Sequence, residues 1–271
     1  MKIPTLSASI DTVIFIFYGN ASISSSQQNP SGVWEANYTG VWHFSEPSWA
    51  GVSGEVIDSA GANHGTAAFA ANSTSGGKFF RGALFGANDD HVDAGSDASL
   101  MPASITVEAW ANPQSVGTSP ERHPYMVTQD TWRLDGSDPR GYYMEIYRTL
   151  TNPSPTFYVA NGAVSSHAVA STDVSNGSWY HVVGTHDATT GDTKLYVNGV
   201  LEDVESMTGG VVYDPAKPVR IGGRTNETWN GILDEVRISN VPRSADWIMT
   251  EYNNQSSPST FYAVGAEEMA P

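Results

Sequence analysis

The sequence has no cysteine, few basic residues and no long apolar run. The absence of cysteine excludes disulfide bonds and thiolate metal sites, and it leaves the cellular compartment open. The 13 Lys and Arg residues stand against 29 Asp and Glu residues, so the formal net charge is −16. Nucleic acids and anionic membranes are therefore disfavoured as partners, because binding phosphate requires a basic field. The acidity favours solubility, cation binding or both.

The one notable apolar run covers residues 13–18 and is too short to cross a bilayer. It also makes a poor signal peptide, because Pro4 and Asp11 precede it and the basic start is Lys2 alone. We interpret the run as a buried strand, followed by a Ser/Gln/Asn-rich linker over residues 22–31. The sequence thus divides into a terminal strand and linker (1–31) and one large domain (32–271). If the protein is secreted, we expect its export signal to lie outside this sequence.

Turn-forming and strand-forming residues dominate what is present, with 26 Gly, 15 Pro and 11% aromatic residues. Residues 104–111 alternate cleanly between two faces, and residues 179–187 and 194–197 predict two further strands. Asn198-Gly199 is a strong signal for a hairpin turn. Short strands at close spacing, with almost no helical pattern, predict an all-β fold, a two-sheet antiparallel β-sandwich.

The segment GILDEVRI at 231–238 predicts the strand around which the domain is organised. With period two, Asp234 shares one face with three apolar residues. These are Ile232, Val236 and Ile238. A buried carboxylate requires a partner, so Asp234 binds a cation or pairs with Arg237 or Arg220. Pro242 then ends the strand, and Ser244 is placed to cap a short helix over residues 245–253.

Four segments, taken in order, resemble the laminin-G-like jelly-roll domains of the concanavalin A-like lectins and glucanases. They are GVWHFSE (40–46), SITVEAWA (104–111), the strand–loop–strand–turn run over 179–199, and GILDEVRI (231–238) followed by Arg243-Ser244. The resemblance covers residues 40–268 and implies a jelly-roll topology, which periodicity alone does not specify. Residues 1–31 are similar to the last strand of a bacterial domain of unknown function that often precedes such modules. The resemblance implies one module of a larger secreted or cell-surface bacterial protein.

Oxygen-rich residues in the segment VIDSAGANHGT (56–66) predict either a tight turn or a cation site. With the resemblance we favour a structural Ca²⁺, because carboxylate and carbonyl oxygens suit this ion better than Zn²⁺. Its expected ligands are Asp58, Asn63, Asp234 and Glu46. We expect the ion to hold loops to the sandwich and to take no part in chemistry.

The irregular connection over residues 112–140 is the predicted ligand-binding region, because long loops without periodicity are more often functional or mobile than idle. Aromatic rings stack on sugar rings, and nearby polar groups bind the hydroxyls. The expected ligand-binding residues are Tyr125, Trp132, Arg133, Arg140, Tyr142 and Trp229. The alternative for Trp132 and Trp229 is that they close the ends of the sandwich.

Signatures of catalysis are weak. Glycoside hydrolysis usually needs two carboxylates roughly 5–9.5 Å apart. The adjacent acids at 234–235 point to opposite faces, and Glu108 and Glu145 are each alone on their strands. Tyr143, Glu145 and Tyr147 share a face, so these three and Glu108 are the catalytic candidates if the domain is an enzyme. A pair assembled from separate strands stays open.

The sequence therefore favours a non-catalytic, calcium-stabilised, lectin-like module that binds a polysaccharide or glycan. We expect a monomer that neither binds nucleic acid nor inserts into membranes. A glycoside hydrolase or polysaccharide lyase built on the same sandwich is the alternative. A structural adhesion or spacer domain is the second alternative, because fold resemblance alone says little about function.

Overall fold

The computed structural model describes residues 10–15, 17–86, 89–115, 124–130, 139–148, 153–224 and 227–267. Within these residues the chain forms seventeen strands, a short 3₁₀ helix at Ala98–Leu100 and two α-helices. In chain order the strands are β1 (Tyr38–Trp42), β2 (Thr66–Ala68), β3 (Asn72–Thr74), β4 (Gly82–Phe85), β5 (His91–Asp93), β6 (Ile105–Pro113), β7 (Tyr125–Asp130), β8 (Arg140–Arg148), β9 (Pro153–Asn161), β10 (Ser165–Val169), β11 (Tyr180–His186), β12 (Asp192–Val197), β13 (Val200–Ser206), β14 (Arg220–Ile221), β15 (Gly223–Arg224), β16 (Glu227–Thr228) and β17 (Gly231–Ser239). The helices are α1 (Ala245–Ser256) and α2 (Pro258–Phe261).

The first sheet has eight strands in the order β13-β12-β11-β6-β17-β4-β3, with β1 as the eighth. Strand β17 is central: one edge pairs with β6, and the other edge is shared by β4 and β1. The predicted hairpin at Asn198-Gly199 joins β12 to β13, and both turn residues have positive φ angles, of 51° and 79°. This is the turn geometry that Asn-Gly adopts readily.

The second sheet has nine strands, with the path β10-β9-β8-β7-β14-β5-β2 and the short strands β15 and β16 beside it. Pairing is antiparallel along the path, and β16 pairs parallel with β7 at one position. The two sheets form a jelly-roll β-sandwich, so the predicted fold class is confirmed.

The apolar core lies between the two sheets and is filled mainly by aromatic and branched side chains. Trp42, Phe85, Phe157 and Trp229 are among its bulkiest fully buried members. Packing is close where the sheets meet, because a Cβ atom on Gly184 would lie 2.1 Å from Cγ of Phe157. Such a contact forces a shift, so glycine is the residue that fits there.

Strand β17 departs from the simple alternation that the sequence predicted. Its pairing with β6 shifts between Asp234 and Arg237, and Glu235 in this bulge has a φ of 50°. Leu233 and Val236 both reach the core as a result, whereas the predicted face had combined Val236 with Asp234. The prediction of one shared face was wrong here, because an extra residue in a strand exchanges the faces beyond it.

Helix α1 covers the outer face of the first sheet. Ser244 caps it as predicted, with its Oγ accepting a hydrogen bond from the Trp247 N–H at 3.2 Å. The helix continues to Ser256, three residues beyond the predicted end, and α2 follows it directly. Among the described residues, neither helix has the length and apolar composition that crossing a membrane requires.

The predicted buried strand over residues 13–18 is not observed. Within residues 1–31, the structure describes residues 10–15 and 17–31, and these contain no strand. Val13, Phe15 and Phe17 are all largely exposed. The prediction was wrong because a strand is buried only when a neighbouring strand or sheet face receives it, and a sequence pattern does not supply that neighbour.

Candidate functional site

The outer face of the second sheet carries a row of side chains that the core does not use. On β8, Tyr142, Met144 and Ile146 belong to the core. Because side chains alternate along a strand, Tyr143 and Glu145 lie on the opposite face. The same rule applies along the neighbouring strands and defines which residues this outer face presents.

Strand register aligns seven of these outward side chains across the full width of the sheet. Each is the direct cross-strand partner of the next, from the β2 edge to the β10 edge. We call this set the transverse row: Thr66, Asp93, Arg220, Thr128, Tyr143, Tyr158 and His167. Adjacent strands are about 4.8 Å apart, so the row extends over roughly 29 Å.

Aromatic rings cluster at the β10 half of the transverse row. The rings of Tyr143 and Tyr158 stack with centroids 4.5 Å apart and planes inclined by 5°. Tyr125 meets Tyr143 edge-on at 5.1 Å, and Tyr147 meets His167 edge-on at 5.8 Å. These are favourable geometries for aromatic pairs, so the rings hold one another in fixed positions.

Accessibility varies along the row. Tyr143, Tyr158 and Thr128, in the middle, are buried although they lie on the face away from the core. Arg220 and Asp93 at one end and His167 at the other are half-buried, and Tyr147 beside His167 is 37% exposed. A ligand therefore meets the row first at its two ends.

The end formed by β2, β5 and β14 combines charge with an exposed ring. Arg220 lies opposite Asp93, whose Oδ1 accepts a hydrogen bond from the Gly95 N–H at 2.8 Å. His91, also on β5, contacts the ring of Phe69 with centroids 5.9 Å apart. Phe69 is 77% exposed and has a φ of 58°, which is uncommon for a bulky residue.

The four catalytic candidates separate into two groups. Tyr143, Glu145 and Tyr147 lie together on the outer face of the second sheet, where Thr156 Oγ1 donates to Glu145 Oε1 at 3.5 Å. Glu108 lies on the first sheet and faces Arg237. Stacked sheets are about 10 Å apart, and the two glutamates point away from each other across that gap. Glu108 and Glu145 are thus too far apart to act as the acid pair of a glycosidase.

Three of the predicted calcium ligands, Asp58, Asn63 and Glu46, are engaged in hydrogen bonds with protein groups around one turn. Asp58 accepts from the backbone of Val41, Ala60 and Asn63 at 2.9–3.0 Å, so it organises the 58–63 turn. The Asn63 side-chain amide donates to Thr39 O at 2.7 Å. Glu46 reaches the same region, with its Oε1 accepting from the Ile57 N–H at 3.0 Å.

Asp234, the fourth predicted ligand, lies against a different loop. Its Oδ2 accepts from the backbone of Lys78 and Phe79, and its Oδ1 accepts from Glu235 N–H at 2.8 Å. Burial and the neighbouring Glu235 raise the pKa of Asp234 to about 7, against the effect of these donors. Within the described residues, no three Asp, Glu or His side chains converge as a metal site. The calcium ion therefore stays a prediction, and of its four expected ligands Asp58, Asn63 and Glu46 lie around one turn, residues 57–63, whereas Asp234 does not.

The six predicted ligand-binding residues do not form one surface. Tyr125 joins the aromatic cluster, and Arg140 is half-buried at the start of β8. Tyr142 and Trp229 are buried in the core, where Tyr142 packs edge-on against Tyr213, so neither ring is presented to a ligand. For Trp229 this agrees with the alternative that it closes the sandwich. Trp132 and Arg133 lie outside the described residues.

The outer face of the first sheet is closed by helix α1. Trp110 stacks on Tyr252 of the helix at 5.9 Å, and His181 packs against the same two rings. Burial lowers the pKa of His181 to about 3, which makes it a neutral packing residue.

A buried charge cluster ties the helix to the sheet. Arg237 bonds Glu235 at 2.7 Å, Glu108 at 3.3 Å and Glu251 of α1. Burial alone would raise the pKa of Glu235, but a hydrogen bond with His43 and the charge of Arg237 outweigh it and lower the pKa to about 2. Burial also raises the pKa of Glu108, only partly offset by Arg237. The cluster is enclosed and structural.

A family model described as the Concanavalin A-like lectin/glucanases superfamily, of the laminin G type, matches residues 85–249. The chain belongs to this family. No relative is found among the curated proteins. The resemblance noted from the sequence is thereby confirmed for the laminin-G-like domain, whereas the preceding bacterial domain stays a prediction.

Solved structures that resemble this laminin-G-like chain include two domains bound to sugars and the receptor-binding domain of a toxin. Domain 4 of AbnA, a GH43 extracellular arabinanase from Geobacillus stearothermophilus in complex with arabinotriose, is 16% identical with a TM-score of 0.57, over 80% of this chain and 98% of that one. The CBM40 of the Ruminococcus gnavus IT-sialidase, bound to α2,3 sialyllactose, is 14% identical with a TM-score of 0.51, over 63% of this chain and 96% of that one. The receptor-binding domain of botulinum neurotoxin type G is 14% identical with a TM-score of 0.57, over 81% of this chain and 52% of that one. At these identities the likeness shows the fold alone.

Sequence reasoning missed Arg220 as a surface residue, and it missed Tyr158 and His167 entirely. Alternation along residues 156–160 could have placed Tyr158 on one face. The transverse row itself joins strands that are far apart in sequence, and no local pattern specifies which strands pair.

Proposed function

We propose that this domain is a non-catalytic carbohydrate-binding module whose ligand lies along the transverse row. The observation that carries the proposal is the continuous line of aromatic and polar side chains across one sheet face. Aromatic rings suit the C–H faces of sugars, and Asp93, Arg220, Thr128 and His167 suit their hydroxyls. Sugar-bound structures with the same fold support the proposal by analogy.

The position of the row agrees with this role. On the other outer face, Trp110 and His181 are covered by Tyr252 of α1, whereas the second sheet carries the transverse row. The row is also wider than one sugar, and because its middle is buried, we place the oligosaccharide against its accessible ends. We further propose that the domain serves a larger secreted or cell-surface protein, as the arabinanase domain does in an extracellular enzyme.

Affinity electrophoresis against neutral and acidic polysaccharides, followed by calorimetry with oligosaccharides, tests the binding role. We expect Tyr147→Ala and His167→Ala to weaken binding about tenfold, because each removes an accessible ring at the β10 end. Phe80→Ala is the matched control, since Phe80 is 73% exposed beside the first sheet and should leave affinity unchanged. Absence of binding across both panels would contradict the proposal.

A polysaccharide lyase is the second candidate, favoured by the grouping of Tyr143, Tyr147, Glu145 and His167 on one face. The burial of this group argues against a lyase, because Glu145 is fully buried and Tyr143 is nearly so. Absorbance from unsaturated uronate ends, measured with uronate polymers, separates the two functions. Activity that is lost in Tyr147→Phe would replace the binding proposal with the catalytic one.

A structural Ca²⁺ at the 57–63 turn is a separate proposal. The family resemblance and the oxygen-rich composition of this turn support it, with Asp58, Asn63 and Glu46 as the residues that would hold the ion. Asp234 is not included, because its carboxylate contacts Lys78 and Phe79 instead. Such an ion would stabilise the turn and leave the transverse row unaltered.

A further inference from the structure

Arg220 is a half-buried guanidinium that makes no hydrogen bond or ion pair with any residue that the structure describes. Arg237 and Lys194 form ion pairs, and Arg81 donates to the carbonyl oxygens of Glu46 and Pro47. The Arg220 side chain, in contrast, has no hydrogen bond or ion pair with any described residue, and its Nε is buried. Leaving a buried guanidinium N–H without an acceptor is costly, so an external acceptor is expected there.

The neighbours of Arg220 do not supply that acceptor. Asp93 is its direct cross-strand partner on the same face, yet the described ion pairs do not include Asp93 with Arg220. Oppositely charged residues at such positions usually interact. Asp93 instead accepts from the Gly95 N–H. A half-buried cation is thus held at the β2 end of the transverse row with its hydrogen-bonding capacity available.

From this arrangement we infer that the transverse row recognises glycans that carry a carboxylated sugar, and that Arg220 receives the carboxylate. The inference rests on the proposed carbohydrate-binding function and specifies its ligand class. A guanidinium donates two parallel hydrogen bonds to a carboxylate, which neutral hydroxyls cannot match in strength. Arg220 then determines specificity, and the aromatic cluster contributes affinity.

The charge of the whole chain limits how acidic this ligand can be. The net charge of −16 repels polyanions, and Asp93 lies directly beside Arg220. The favoured ligand therefore carries an isolated acidic sugar among neutral ones. Uronates and sialates both provide this chemistry, since each presents a single carboxylate on a sugar ring.

Phe69 provides a second contact at this end. It touches His91, which lies on the outer face two residues before Asp93. Two strand spacings and three residues along a strand separate Phe69 from Arg220 by roughly 14 Å at the backbone, before the side chains close the gap. An oligosaccharide with its carboxylate on Arg220 can therefore place a neighbouring sugar against the exposed Phe69 ring.

Calorimetry with ligand pairs that differ by one acidic sugar tests the inference. The pairs are α2,3-sialyllactose with lactose, and glucuronate-substituted with unsubstituted xylo-oligosaccharide; together they distinguish a sialate from a uronate. We expect the acidic member of at least one pair to bind at least tenfold more tightly. Arg220→Gln should abolish this preference, and Arg220→Lys should retain part of it. Lys217→Gln, which removes the same charge from an exposed residue nearby, should have no effect.

Each outcome assigns the result to one proposal. Binding of both members with equal affinity, or of neutral glycans alone, overturns the role of Arg220 and leaves the carbohydrate-binding function standing. No binding to any acidic or neutral glycan overturns both. If Arg220→Gln fails to fold, the preference of the unmodified domain for the acidic member of a pair still decides the question. Phe69→Ala should weaken binding severalfold, because the ligand would contact this ring at the β2 end of the transverse row.

Discussion

Replacement of Arg237 by methionine tests the buried charge cluster most directly. Arg237 contacts three carboxylates that are each no more than 12% exposed, and its own side chain is 9% exposed. Removing one partner from a buried pair costs about 3–5 kcal/mol, because the remaining charge stays buried without compensation. A domain with the usual stability of about 5–15 kcal/mol would lose a large part of it.

The loss in Arg237→Met should grow with pH. In the unmodified protein the pKa of Glu235 is lowered to about 2, so its stabilising effect is complete above the ordinary carboxyl range and is lost only as pH falls toward 2. Burial already raises the pKa of Glu108, and without Arg237 less offsets that effect, so its pKa lies still further above that of the unfolded chain. The native state then binds more protons than the unfolded state, and stability falls as pH rises.

Urea unfolding followed by circular dichroism, at pH 5 and pH 7.5, measures this difference. We expect a loss of about 3–5 kcal/mol at the higher pH and a clearly smaller loss at the lower. Lys194→Met is the control, because its ion pair with Asp192 is at least one-third exposed and contributes at most about 1 kcal/mol. A cost below about 1 kcal/mol for Arg237→Met, or an equal cost at both pH values, would refute the reasoning.

Two further predictions concern packing and the proposed ion. Gly184→Ala should destabilise the domain by about 1–3 kcal/mol, because the added methyl group would overlap Phe157. This loss is measured as a lower melting temperature. An unchanged melting temperature would show that the two sheets can move apart at no cost. EDTA should lower the melting temperature of the domain, and added Ca²⁺ should restore it. The melting temperature of the Asp58→Asn variant should respond to neither. An unchanged melting curve of the unmodified domain in EDTA would contradict the calcium site.

The fold could be predicted from the sequence because its determinants are local or follow a simple period. Residues 104–111 alternate over one strand, and Asn198-Gly199 adopts the positive φ angles that this pair favours. Ser244 caps α1 because a side-chain oxygen next to the first turn satisfies a free N–H group. Each of these features depends on residues within one or two turns of chain.

The candidate site could be predicted only in part, because it depends on tertiary pairing. The sequence placed Tyr143, Glu145 and Tyr147 on one face, which the structure bears out. It could not indicate that Arg220 lies between Asp93 and Thr128, since these residues are joined by strand order and register. The bulge in β17 had a similar effect, because one residue with positive φ reverses the faces that a period-two pattern assigns.

The two outer faces of the sandwich show why the polar groups of this domain have different roles. On the first sheet, Trp110 and His181 pack against Tyr252 of α1, and Arg237 pairs with Glu251, while Nδ1 of His181 and Nε of Arg237 are buried without a hydrogen bond to any described residue. On the second sheet, Arg220 is placed by an equally regular register but has no partner of its own among the described residues. A protein interior tolerates buried polar groups when they are paired, so a guanidinium that makes no hydrogen bond with any described residue is a group for which a ligand is expected. The ligand class follows from that requirement, because a carboxylate on a largely neutral glycan satisfies the guanidinium without strong repulsion from the acidic surface around it.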